Sequence, residues 1–299
     1  MPRKTPMFAR RRRSRARRFA GWLPVGIVLV VAVSLVTVRA LNADLAPLRD
    51  PGSVHVHALG LEAESQSLFI ATHNGLYRLP PGKAMAEPTS DRHQDTMGFA
   101  VAAPGYFLGS GHPDLRDDLP PLLGLIESRD AGETWQPVSL LGEVDFHVLR
   151  VEGRHIVGYD ATRGRILASG DEGRTWNDRK PPERLRDLVV HPSSRKILVA
   201  TGESRLFTSR DGGVTWSNGE RKSGLLAWPR GDRLYLLDPS GRTWMSSDGG
   251  NRWQPRGQLG AAPAAFIAVD THILYAATHD GSIKRSGDGG AIWITRSVL

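Results

Sequence analysis

Histidines and carboxylates recur in short polar clusters between apolar runs: THNG at 72–75, DRHQDTMG at 91–98, GSGHPDLRDDLPPLLG at 109–124, VDFH at 144–147 and THDG at 278–281. These residue types support two kinds of chemistry. Imidazoles and carboxylates that converge can hold a divalent cation, or hydrogen-bond a sugar or peptide. Carboxylates that face one another can instead act as a general acid and base on a glycosidic bond. His73, Arg92, His112, Asp114 and His147 are the ligand-binding candidates, and Asp95, Asp114 and Asp145 are the candidates for acid/base work. A metal, if bound, would draw on His73, His112 and His147. No cofactor motif is present, and none is expected. His55 and His57 alternate along one run, so they point the same way. They can join these clusters or be packed inside.

Such clusters do chemistry only if a scaffold brings them together, and the scaffold is written in a different motif. SRDAGETW (128–135) returns as SGDEGRTW (169–176), SRDGGVTW (209–216), SSDGGNRW (246–253) and SGDGGAIW (286–293). The tryptophans, Trp135, Trp176, Trp216, Trp253 and Trp293, are spaced by 41, 40, 37 and 40 residues. A period near 40 marks a repeat architecture rather than five active sites. Within each repeat, short alternating apolar runs are punctuated by glycine, proline and serine, as in LRDLVVHP, RKILVATG, RLFTSRDGG and VTWSNG. That pattern spells four strands. Six such units fit residues 54–299, the first without the octet, and four strands per unit predict an all-β, six-bladed β-propeller.

In each octet the aspartate (Asp130, Asp171, Asp211, Asp248, Asp288) is placed to accept backbone amides in a turn, glycine to take the left-handed conformation, and tryptophan to fill the space between blades. These residues are structural. The octets resemble the BNR or Asp-box repeat, SxDxGxTW, of sialidases and many non-sialidase propellers; the first three match fully, whereas Arg252 and Ile292 replace threonine in the last two. VHVHALGL, HQDTMGF and GSGHPDLRDDLPPLLGLIES are also similar to a bacterial group of glycosylhydrolase-like proteins with WD40/YVTN/BNR-like repeats. The resemblance implies the fold and not an activity. The sialidase Arg-Ile-Pro signature is absent, with YRLP at 77–80 a near-spelling only, and Tyr159 and Tyr275 have no evident glutamate partner.

Charge and hydropathy place the propeller. Residues 1–18 carry 9 of the 39 lysines and arginines and no acid, leaving 30 basic against 31 acidic residues. The formal charge of +8 is thus a property of this tail, and nucleic acid is not an expected partner. Residues 19–38 are uncharged and long enough for one membrane crossing. With arginines before it, this span is expected to anchor the chain in the cell membrane, single-pass, N-terminus cytoplasmic and propeller extracellular. A cleaved export signal is the alternative. Residues 39–53 then form a linker. There is no cysteine, which excludes a disulfide framework and a lipid-modified N-terminal cysteine.

On topology, the second-to-third-strand loops and the connections between blades share one rim, and the octets occupy the other. The polar clusters fall on the first. Two functions follow: a membrane-tethered module that binds an extracytoplasmic glycan or protein, as in Asp-box propellers similar to photosystem-assembly factors, or a glycoside hydrolase using the rim acids. Five complete turn motifs and no complete catalytic set favour binding.

Overall fold

The computed structural model describes residues 55–299, so the expected tail, membrane span and linker lie outside the described residues. No helix among the described residues is long and apolar enough to cross a membrane. The described chain forms six four-stranded antiparallel sheets, each from one contiguous stretch of sequence. The six-bladed expectation is met. The innermost strands are Val56–Leu61, Asp95–Ala103, Phe146–Glu152, Asp187–His191, Leu225–Arg230 and Pro263–Ala268 for blades 1 to 6.

The strands are short and β-rich because each blade is covered on both faces. Runs such as Leu68–Thr72 in blade 1 are buried along their whole length, which strict alternation would not permit. Six apolar clusters result, one at each boundary between adjacent blades. Phe69, Leu76, Phe99 and Phe107 join blades 1 and 2, for example, with Phe69 and Phe107 rings 4.6 Å apart.

The repeated octets connect the third and fourth strands, on the rim away from the polar clusters. In the first, Ser128 Oγ donates to Asp130 Oδ1 at 2.8 Å and accepts Gly132 N–H at 2.8 Å. Asp130 also accepts the Thr134 N–H at 2.9 Å and hydroxyl at 2.6 Å. Asp171 and Asp211 repeat this set. Asp248 and Asp288 keep the amide bonds but, with Arg252 and Ile292 in place of threonine, lose the hydroxyl. Glycine is needed at the fifth position for two reasons. Gly132 has φ +91°, and a Cβ there would lie 2.4 Å from Leu76 Cδ2 of the preceding blade. The tryptophan of each octet follows its glycine into the seam; in the blade 2/3 seam, Trp176 lies 5.2 Å from Phe146 and donates its indole N–H to Ser139 Oγ of blade 2 at 3.0 Å.

Trp135, Trp176, Trp216, Trp253 and Trp293 each occupy a different seam, from blades 1/2 to blades 5/6. The seam between blades 6 and 1 has no tryptophan. It closes through Val56, Leu59, Ala265, Ala277 and Ile283, and through the last strand, where Ser297 Oγ donates to Ala84 O at 2.7 Å and Arg296 to the carbonyls of Pro80 and Lys83.

Two outcomes follow. Trp253→Ala empties a buried seam position and destabilises the fold by about 3–5 kcal/mol, read by chemical denaturation. The octet aspartates all titrate below their ordinary 3.8, Asp211 down to about 2, first because of the Thr215 hydroxyl bond and then the Thr215 amide. A depressed folded value means that their stabilisation is complete above the unfolded value and is lost as pH falls from about 4 towards 2. Thr215→Val raises the Asp211 value towards 3.8, which a carboxyl-carbon NMR titration measures.

Candidate functional site

The opposite rim is built around carboxylates at the entry of three consecutive innermost strands. Asp95 opens that of blade 2, Asp145 directly precedes that of blade 3, and Asp187 opens that of blade 4. Each reaches across a seam.

Asp95 meets blade 1. Its Oδ2 lies 2.9 Å from His73 Nδ1 and its Oδ1 3.3 Å from His57 Nε2. His57 comes from the innermost strand and His73 from the turn after the second. That turn is tightly specified: Thr72 Oγ1 donates to Gly75 O at 2.8 Å and accepts Asn74 N–H at 3.0 Å, and His73 N–H donates to His55 O at 3.0 Å. On its other side, Asp95 pairs in register with His112, where Gly111 at φ +140° lets the strands close; a Cβ on Gly111 would lie 2.0 Å from Asp95 O. Burial pushes the Asp95 carboxyl up, but the His57 ring and the charges of His57, His73 and His112 outweigh it. The net value lies below the ordinary carboxylate range.

Asp145, only 5 % exposed, meets blade 2. His147 Nε2 lies 2.8 Å from its Oδ2, and His112 Nε2 lies 3.7 Å from the same oxygen. His112 Nδ1 sits 2.7 Å from Pro121 O in the long loop. A carbonyl can only accept, so this nitrogen carries a proton, and Nε2 is the one turned to the carboxylate. His73, Asp95, His112, Asp145 and His147 thus form an alternating row over blades 1 to 3.

Asp187 was hidden in the apolar run LRDLVVHP, and sequence reasoning missed it. The available signal was its offset, the same as that of Asp95 and Asp145 relative to the innermost strand. Its Oδ1 accepts Arg150 from blade 3 and its own Leu188 N–H, both at 2.7 Å, and its Oδ2 accepts Leu226 N–H from blade 5 at 2.7 Å. It staples three blades. Burial pushes its carboxyl up, against the pull of Arg150 and the two amides.

The other candidates lie apart from this row. Asp114 is 3 % exposed and clips the 109–124 loop: it accepts His93 N–H at 2.7 Å, Arg116 N–H at 2.9 Å, and the Arg116 guanidinium at 2.7 and 3.0 Å. Arg116 above all, with the His93 and Arg116 amides, holds its carboxyl well below the usual range. Arg92 is paired with Asp117 of the same loop. Both oxygens of Asp114 are thus spoken for, and the loop is held by its own charges.

Beneath the row, a cavity of about 350 Å³ opens, lined by His55, His57, His147, His279, Arg150, Arg186 and Asp187. A second, of about 460 Å³, opens from the octet side. Leu59, Phe99, Leu149, Phe266 and Ile267 line both, together with Arg150, so the channel between them is largely apolar.

Fold and rim together define a six-bladed β-propeller with a histidine-rich mouth. No family model matches the chain. It is 26% identical over 277 residues to a xyloglucanase from Paenibacillus sp., covering 79% of this chain and 25% of that protein. It is 26% identical over 160 residues to the photosystem II assembly protein Ycf48 of Thermosynechococcus vestitus, covering 48% of this chain and 45% of that one. The chain therefore spans less than half the length of either relative. Among solved structures, Ycf48 bound to D1 peptide superposes with a TM-score of 0.52 at 17% identity, over 83% of this chain and 84% of that one.

Asp187→Ala leaves Arg150 without its anion and two blades without their shared acceptor. The expected loss is about 3 kcal/mol in chemical denaturation, whereas Asp117→Ala in the exposed loop costs under about 1 kcal/mol.

Proposed function

We propose that the chain is a ligand- or protein-binding propeller, tethered to the membrane by residues 19–38, whose partner docks on the histidine-rich mouth. One observation carries this. A glycosidic general acid needs a carboxyl held protonated near neutral pH, and the mouth offers none free to act. Asp95 and Asp114 are lowered. Asp187 is raised but spends both oxygens on Arg150 and two amides. Asp145 is already engaged by His147.

The mouth suits a partner rich in acceptor oxygens. Arg150 is committed to Asp187, which leaves Arg186 and the imidazoles to donate. Sugar hydroxyls and carboxylates, or the acidic end of a polypeptide, present such oxygens. That the similar Ycf48 structure carries a peptide supports the protein alternative. The similarity to a xyloglucanase supports a second reading, a glycoside hydrolase using Asp95 and Asp145.

Glycan and acidic-peptide arrays probed with the full chain separate the two. Saturable binding that falls about tenfold or more in Arg186→Ala and His147→Ala is expected, with reducing-sugar release from xyloglucan at the background rate. Hydrolysis abolished by Asp95→Asn or Asp145→Asn would overturn the binding reading.

A further inference from the structure

Within the mouth, two atoms face each other in an arrangement that protein groups alone do not satisfy. His57 Nε2 and Asp95 Oδ1 are 3.3 Å apart, both closed off from solvent, and neither makes a hydrogen bond. A buried imidazole nitrogen and a buried carboxylate oxygen held at ion-pair distance but without hydrogen-bond geometry are incompletely satisfied. The octet carboxylates of the same fold, by contrast, are saturated. The third member is His73, whose Nδ1 approaches the other oxygen of Asp95 at 2.9 Å. One ligand atom from each of His57, His73 and Asp95 lies within 4.8 Å of the others, and no other histidine or carboxylate group among the described residues converges in this way.

We propose that His57, His73 and Asp95 form a binding site for a divalent first-row transition metal ion at the mouth of the channel. Zinc bonds of about 2.0–2.2 Å in tetrahedral geometry set ligand atoms about 3.4 Å apart. The contacts at 2.9 and 3.3 Å fall just short of that spacing. The remaining adjustment falls on His73, whose side chain is 58% exposed, while its backbone is pinned through His55. His57 and Asp95 are fixed by two adjacent innermost strands, so the carboxylate and one imidazole are preorganised. Two nitrogens and a carboxylate select a borderline ion; calcium and magnesium, which require mainly oxygen ligands, are poorly served. Three protein ligands leave a coordination position open to water or to an oxygen donor. This site stands whether the partner of the mouth is a glycan, a polypeptide or neither.

The full chain, stripped with a chelator, is titrated with Zn²⁺ by calorimetry and its thermal unfolding followed with and without the ion. A single saturable equivalent is expected, with a rise in Tm on binding. His57→Ala and His73→Ala each weaken binding by about a hundredfold. His272→Ala, an exposed histidine on the octet rim, leaves it unchanged, and Ca²⁺ and Mg²⁺ do not compete. Because His73 is exposed on a turn, His73→Ala unfolds without zinc as the parent chain does, so its loss of binding reports the ligand and not the fold. Absence of saturable zinc binding, or binding that survives both His57→Ala and His73→Ala, would overturn the proposal.

Discussion

The seam between blades is the constraint on which everything else rests. A four-stranded blade of this size buries little by itself, and its faces become core only when a neighbour covers them. Five seams are filled the same way, by a tryptophan delivered from an aspartate-locked turn in the following blade. The sixth joins the first and last blades and is held differently, by an aliphatic core with Tyr77 and Tyr275 packed against it and by hydrogen bonds from Arg296 and Ser297 to the Pro80–Ala84 turn. Blade 1 lacks the octet, and this is the seam its tryptophan would have entered. Closure therefore depends on the final strand rather than on the repeated motif.

With one rim spent on locking turns, the other is available for polar side chains, and the seams decide where those converge. Asp95, Asp145 and Asp187 stand at similar places, and each takes at least one partner from another blade. In the blade 3/4 seam the result is a staple with every oxygen used. In the first two seams imidazoles replace the arginine, and each carboxylate keeps one buried oxygen, Oδ1, without a hydrogen bond. The same backbone position thus grades from structural support in blade 4 to an incompletely satisfied site in blades 2 and 3.

How much of this could be read from the sequence follows from the range of the interactions. The octet is local: Ser128, Asp130 and Thr134 bond to one another within seven residues, so residue types and spacing reveal both the turn and its period. The rim assignments of His73, Asp95, His112, Asp145 and His147 were equally legible, because they follow from strand order alone. Their pairing was not. His57 and Asp95 lie a full repeat apart, and so do Arg150 and Asp187; only the register between neighbouring blades brings them together. Asp114 shows the converse. In sequence it is a carboxylate on the longest loop, yet Arg116, two residues on, folds back and takes both oxygens. Asp187 escaped notice because a single acid in an apolar strand reads as a strand end.

The mouth is not symmetric, and that asymmetry bears on what can bind. Blades 1, 3 and 4 contribute His55, His57, His147, Arg150, Arg186 and Asp187 beside apolar residues such as Leu59 and Leu149, whereas blades 5 and 6 contribute Leu225, Ala264, Ala265, Phe266 and Ile267, with His279 the polar exception. A ligand entering the channel meets polar groups on one side and an apolar wall on the other. Such a mouth rewards a group with one apolar face and one edge of oxygens. A pyranose ring has that form, and so does an aliphatic residue carrying a terminal carboxylate. On the proposed binding reading, the oxygens of either would face His57, His147 and Arg186, which line the polar side of the cavity.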